Sequence, residues 1–222
     1  MNNQECKYFE VVITAGGTQE QIDDVRYIGN FATGELGVSM AEAFAKRGAS
    51  VLLLAPDTVI ERFGVPKGVV HRLFTSAESL EAQFRMVSGT KLILHSAAVS
   101  DYTPERTKGK ISSDKDELVL RLKRTPKILP QLRAYFGEDT TICGFKLLSY
   151  VPESELIDVA TDQIQKAKTN YCIANDLKNH GNNRLIHIVS SDGSYKTHTG
   201  AVSEVAEQIV NFLETKGENH GK

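Results

Sequence analysis

The sequence has 222 residues, of which 41% are apolar and 24% charged, with a formal net charge of -2. That is enough chain for a sizeable core, with the composition of a soluble globular domain. The near-neutral balance makes nucleic acid an unfavoured partner, so any phosphate binding must be local. Cys6, Cys143 and Cys172 are too scattered for a CxxC pair or a metal cluster, the start MNNQECKYFE lacks signal-peptide regions, and no apolar run reaches the about 18–20 residues that cross a bilayer; a cytoplasmic location with no membrane partner is expected.

Taken in chain order, the first strand is expected over Val11–Ala15 and the second over Ser50–Ala55. Between them, Leu36, Met40, Ala43 and Phe44 fall at helical spacing from about Gly34 to Arg47, and Gly48 stands where a C-cap glycine would. Strand, helix, strand is a βαβ unit and implies a parallel sheet. The alternation continues with a strand at Val69–Phe74, a helix at Ala77–Val87 and a strand at Leu92–Ala97, whose nearly continuous apolar run fits burial on both faces.

The stretch Tyr102–Lys115 is polar, with Pro104 and Gly109, and reads as an exposed, mobile loop with too few apolar side chains to hold it down. A strand at Leu118–Lys123 follows, then a short helix opening at Thr125-Pro126 with Pro126 in its first position. Thr141–Leu147 reads as a strand, Glu153–Lys168 as a helix, and Tyr171–Ala174 and Leu185–Ser190 as strands. Ser191–Ser194 is a turn that makes a hairpin with Tyr195–His198. Val202, Val205, Ala206, Ile209, Val210 and Leu213 form one stripe of a closing helix. The economical reading is one α/β domain over residues 1–222: a Rossmann-like, doubly wound, mostly parallel sheet with a C-terminal β-hairpin.

Five places have residues suited to chemistry. The turn ITAGGTQE puts Gly16 and Gly17 directly after a strand, where main-chain N–H groups approach a phosphate; an ordinary tight turn is the alternative. Arg26–Gly34 leads into the first helix and sets Asn30 at its mouth, as a ligand or as a plain polar residue before the cap. Ser96–Tyr102 closes the apolar strand, with Ala97 at its end and Asp101 placed to meet a ribose hydroxyl, to hold a metal or to cap a turn. Lys108, Lys110 and Lys123 belong to a polar segment that either closes over a triphosphate or is simply solvated. Phe145, in Gly144-Phe145-Lys146, either stacks on a base or ribose or fills core; Ala174-Asn175-Asp176 ends another strand.

Together and in this order these segments resemble one family. ITAGGTQEQIDDVRYIGNFATGELG is similar to the signature of bacterial phosphopantothenate–cysteine ligases, and SAAVSDY, KGKI, LKRTPKIL, CGFKL and IAND resemble the later blocks of that family. The likeness runs from about Val11 to Leu213. Gln21 and Asp24 stand where the family commonly has proline, Phe31-Ala32-Thr33 replaces a serine-rich stretch, and Glu35 replaces a lysine.

The resemblance implies a ligase of coenzyme A biosynthesis with CTP and Mg²⁺. The carboxylate of 4'-phosphopantothenate attacks the α-phosphate, pyrophosphate leaves, and the amine of cysteine attacks the acyl-cytidylate to release CMP. Such steps need positioned amides and cations more than a protein nucleophile. By matching positions, Gly16, Gly17, Ala97, Asp101, Lys110 and Phe145 would hold the nucleotide, Asn30 the acyl intermediate, and Lys110 would also act in catalysis; the metal ligands stay unassigned. A homodimer is implied, and a separate flavin-dependent decarboxylase acting next. Two rivals stand beside this reading. One is an NAD(P)-dependent oxidoreductase with Asp57 on the ribose, which lacks GxGxxG spacing and a Tyr-xxx-Lys pair. The other is a non-catalytic nucleotide-sensing protein on the same fold.

Overall fold

Eight strands make the central sheet of the computed structural model, which describes residues 7–114, 116–179, 181 and 183–217. They are β1 (Val11–Thr14), β2 (Val51–Ala55), β3 (Val69–Leu73), β4 (Leu92–His95), β5 (Thr141–Leu148), β6 (Tyr171–Asp176), β7 (Arg184–Ser190) and β8 (Tyr195–Gly200). Their spatial order is β3-β2-β1-β4-β5-β6-β7-β8. The pairs from β3 to β6 are all parallel, whereas β6–β7 and β7–β8 are antiparallel. The six parallel strands thus follow the doubly wound order of nucleotide-binding folds, with the expected hairpin added at one edge. Every residue of β1 and β2 is buried, because helices cover both faces and leave no polar side to the sheet.

The helices are α1 (Glu35–Lys46), α2 (Asp57–Phe63), α3 (Ala77–Arg85), α4 (Leu129–Phe136), α5 (Glu153–Ala167) and α6 (Val202–Gly217). On one face Met40 and Phe44 of α1, Val59 of α2 and Ile209 of α6 pack with Ile13, Leu53, Leu94 and Ile186. On the other, Leu80 and Phe84 of α3 and Leu132 of α4 meet Val12, Leu52, Ile93 and Ile142, while Leu156 and Ile164 of α5 meet Cys172 and Val189. Cys143 and Cys172 are free thiols that pack into different clusters, and burial pushes both pKa values up; Cys6 lies outside the described residues.

Three expectations need correction. The helix expected from Thr125-Pro126 starts at Leu129, with Pro130 in its first turn. Thr125 is occupied elsewhere: its N–H donates to Asp101 O and its Oγ1 to Ser100 O, which pins residues 125–127 along the exit of β4. The strand expected over Leu118–Lys123 is confined to Leu122–Arg124, which among the described residues is the part with a strand partner, Tyr102–Pro104. The polar loop is exposed as expected, but it is fastened to a hairpin that sequence patterning does not reveal, Gln19–Gln21 against Tyr27–Gly29.

The fastening is polar. The Asp23 carboxylate is enclosed and accepts from the guanidinium of Arg26 and from the N–H groups of Val25, Arg26 and Ile111; Arg26 also donates to Ile111 O. The Arg26 guanidinium, helped by those main-chain donors and opposed by burial, holds the Asp23 carboxyl well below the usual carboxylate range. Asp24 exchanges hydrogen bonds with Gly109 in both directions and pairs with Arg106 at 3.0 Å. Lys115, the last residue of the expected loop, lies outside the described residues.

Candidate functional site

At the carboxyl ends of the parallel strands, where β1 and β4 diverge to opposite sides, a cleft of about 250 Å³ opens beside the start of α1. It is lined by Gly16 after β1, residues 31–37 leading into α1, Ser96–Ala98 after β4, Phe145 and Leu147 of β5, Asn175 of β6 and Arg184 of β7. Because β7 is antiparallel, its first residue returns to the end of the sheet where β1–β6 finish. A second cleft of about 600 Å³ has Glu20, Glu78 and Glu81 in its wall. Three carboxylates against the one guanidinium of Arg106 leave that wall net negative, so the smaller cleft, with Glu35 balanced by Arg184, is the better anion site.

Backbone geometry shapes that cleft. Gly16 has φ +81°, and a Cβ there would lie 2.5 Å from Val59 Cγ2. Gly34, the residue before α1, has φ +78° and would meet the same side chain at 2.7 Å. Both positions therefore demand glycine. Among the described residues no side chain caps the helix at Gly34, and the Glu35 N–H reaches only Thr33 Oγ1 at 3.4 Å. The first-turn amides of α1 thus face the cleft with the positive end of the helix dipole.

A buried relay sets the opposite wall. Ala97 N–H donates to Thr14 Oγ1 at 2.9 Å, leaving the hydroxyl proton for His95 Nδ1 at 3.0 Å. Burial pulls the His95 pKa down to about 4, so the ring is neutral at pH 7 and able to accept. This relay fixes where the chain leaves β4.

Of the residues singled out in the sequence, Gly16, Ala97 and Phe145 line the cleft. Gly17 lies directly behind, bridged to Ala98. Asn30 sits exposed near the rim, next to the cleft-lining Phe31, with Nδ2 3.5 Å from Val99 O. Asp101 lies outside the lining, exposed and paired with Lys127. Lys110 is exposed on the fastened loop and outside the lining. Asp57 occupies the first turn of α2, where its charge suits the helix dipole. Arg184 was missed: it opens a strand in a hairpin, and only the antiparallel return brings it here. Among the described residues no group of three or more His, Cys, Asp or Glu is placed to hold a metal, and no helix is long and apolar enough to cross a membrane.

Comparison with known proteins agrees with this fold. Residues 6–216 match the family model described as the DNA/pantothenate metabolism flavoprotein C-terminal domain. The coenzyme A biosynthesis bifunctional protein CoaBC of Methanocaldococcus jannaschii is 36% identical over 211 residues, covering 94% of this chain and 51% of that protein. Its counterpart in Haemophilus influenzae is 29% identical over 216 residues, 95% of this chain and 52% of that protein. The chain spans about half the length of the curated relatives it matches. Among solved structures, the DNA/pantothenate metabolism flavoprotein from Streptococcus pneumoniae superposes with a TM-score of 0.84 at 28% identity, covering 94% of this chain and 99% of that one. The C-terminal domain of a CoaBC protein gives 0.75 at 25% identity, with 98% and 100% covered. On sequence and fold alike, this chain belongs to the DNA/pantothenate metabolism flavoprotein C-terminal domain family.

Proposed function

We propose that the chain is a ligase of coenzyme A biosynthesis that joins 4'-phosphopantothenate to cysteine at the expense of CTP. The observation that carries this is the cleft itself: Gly16, the uncapped start of α1 and the end of β4 converge on one space in a member of this family. The bifunctional coenzyme A proteins named above are its relatives.

In the first step a carboxylate oxygen of phosphopantothenate bonds to the α-phosphorus of CTP, and the bond to the bridging oxygen breaks to release pyrophosphate. In the second the cysteine nitrogen bonds to the acyl carbon, loses a proton and expels CMP. Both steps build negative charge, which main-chain amides at a helix mouth stabilise without reorganising. Phe145 and Leu147 supply an apolar wall for the base. Asp101 would exchange Lys127 for ribose hydroxyls; that pair is exposed on both sides and cheap to open. Asn30 would steady the acyl phosphate, and Lys110 would reach in from its loop. Mg²⁺ would supply charge neutralisation on the triphosphate, and no residue is assigned to hold it, since no group of three or more His, Cys, Asp or Glu is placed for that among the described residues.

An oxidoreductase reading loses ground on local geometry. A dinucleotide fold runs from its glycine turn directly into the helix that receives the pyrophosphate. Here a whole hairpin, Gln19–Gly29, separates the Gly16 turn from α1. The ligase reading includes a cytoplasmic homodimer and a flavin-dependent decarboxylase acting on the product. The test is turnover with phosphopantothenate, cysteine and CTP, followed as CMP and pyrophosphate release, with ATP as the comparison. Tight NAD(P)H binding without CTP-dependent product would overturn the ligase reading.

A further inference from the structure

Arg184 stands in the cleft wall with a donor that lacks an acceptor. Its side chain is 15% exposed, and its Nε is buried with no hydrogen-bond partner among the described residues. Buried N–H groups left unpaired are costly and rare. The one ion pair it makes among the described residues is loose: Nη2 lies 3.5 Å from Glu35 Oε2, on a carboxylate that is 39% exposed. Arg184 is also the one cationic side chain in the lining among the described residues.

Glu35 sharpens the point. A carboxylate in the first turn of α1 suits the helix dipole, but here it lines the same space as the free amides and repels an anion arriving there. A cation must offset it if the cleft is to take phosphate, and a guanidinium presents Nε and Nη as a fork that matches two phosphate oxygens.

We propose that Arg184 is the polyphosphate-binding cation of this cleft: it releases Glu35 when the nucleotide enters and grips phosphate oxygens through Nε and Nη2. Glu35 is then a placeholder that keeps the guanidinium in position while the cleft is empty of phosphate. This rests on reading the cleft as the nucleotide site, and the test separates the two.

The test is calorimetry on the full chain with CTP, inorganic tripolyphosphate and cytidine. Arg184→Gln should weaken CTP and tripolyphosphate by roughly 10- to 100-fold and leave cytidine unchanged. Arg184→Lys, which keeps the charge without the fork, should restore part of the loss. Glu35→Gln, which frees the arginine, should tighten both polyphosphates. Undiminished CTP and tripolyphosphate binding by Arg184→Gln overturns the proposal and leaves the nucleotide site standing; equal loss of cytidine also overturns it, because the cleft itself has then collapsed. Wild-type protein that binds tripolyphosphate through Arg184 but ignores CTP keeps the proposal and removes the nucleotide reading. Failure of wild type to bind either ligand overturns both. Should Arg184→Gln not fold, Glu35→Gln decides alone: no gain in tripolyphosphate affinity overturns the proposal.

Discussion

His95 closes β4 as an ionisable side chain enclosed by apolar neighbours, edge-on to Phe84 with ring centroids 5.7 Å apart. The unfolded chain takes up a proton on this ring near pH 6.5, the folded chain only near pH 4. The folded state therefore has its full stability above pH 6.5 and loses it as pH falls toward 4, because protons favour the unfolded chain. A shift of about 2.5 units corresponds to about 3.4 kcal/mol at the limit. Between pH 7 and pH 5 the same linkage gives about 1.8 kcal/mol. In a domain of this size that lowers Tm by about 4–7 °C. His95→Asn is the informative variant: its amide oxygen falls near the place of Nδ1, so Thr14 keeps an acceptor, yet it does not titrate. Urea unfolding at pH 7 and pH 5 should show the wild type losing about 1.8 kcal/mol more than the variant. Carboxylates and the other histidines act on both proteins and cancel. Equal losses in the two proteins would refute the assignment of this acid sensitivity to His95.

Asn30→Asp should slow conversion of the acyl-cytidylate more than it weakens CTP binding, because a second anion would face the acyl phosphate; unchanged single-turnover kinetics remove Asn30 from the mechanism. Lys110→Gln should lower kcat by roughly two to three orders of magnitude with Tm almost unchanged, and Lys108→Gln should do much less; two equally mild variants would make the loop a connector. Asp23→Asn should weaken the Arg26 pair that ties the loop to its hairpin, and the check is faster tryptic cleavage at Arg106, Lys108 or Lys110 than in the wild type. An unaltered digestion pattern would mean that the Asp24–Gly109 contacts suffice.

The parallel core was legible because its physics is local and periodic. Leu92–Leu94 and Val51–Ala55 are apolar runs because the sheet is covered on both faces, and the stripe of α6 repeats at helical spacing from Val202 to Leu213. Gly16 and Gly34 were readable in the same way, since a positive φ leaves few residues to choose from. The short hairpin Gln19–Gly29 and the pairing of Tyr102–Pro104 with Leu122–Arg124 were not, because three-residue strands carry too little alternation to be seen. Composition also misled at the loop. Apolar side chains are scarce there, but two carboxylates, Asp23 and Asp24, hold it through main-chain groups, and a main-chain donor leaves no mark on the sequence.

The same distinction explains the site. Glycine turns and strand ends can be placed by reading along the chain, whereas charge balance depends on which distant strands come together. Glu35, read alone, puts a negative charge beside a phosphate site. Set in the fold, it faces Arg184, which the antiparallel β7 returns to the same end of the sheet. The net effect of position 35 on an anion is therefore a property of the pair, and substitutions at the two positions should not be additive. Removing both charges with Glu35→Gln and Arg184→Gln together separates two possibilities. If the pair only maintains the cleft wall, the double variant should bind tripolyphosphate much as wild type does. If Arg184 grips phosphate, the double variant should stay clearly weaker than wild type, regaining over Arg184→Gln only what removal of the Glu35 repulsion returns.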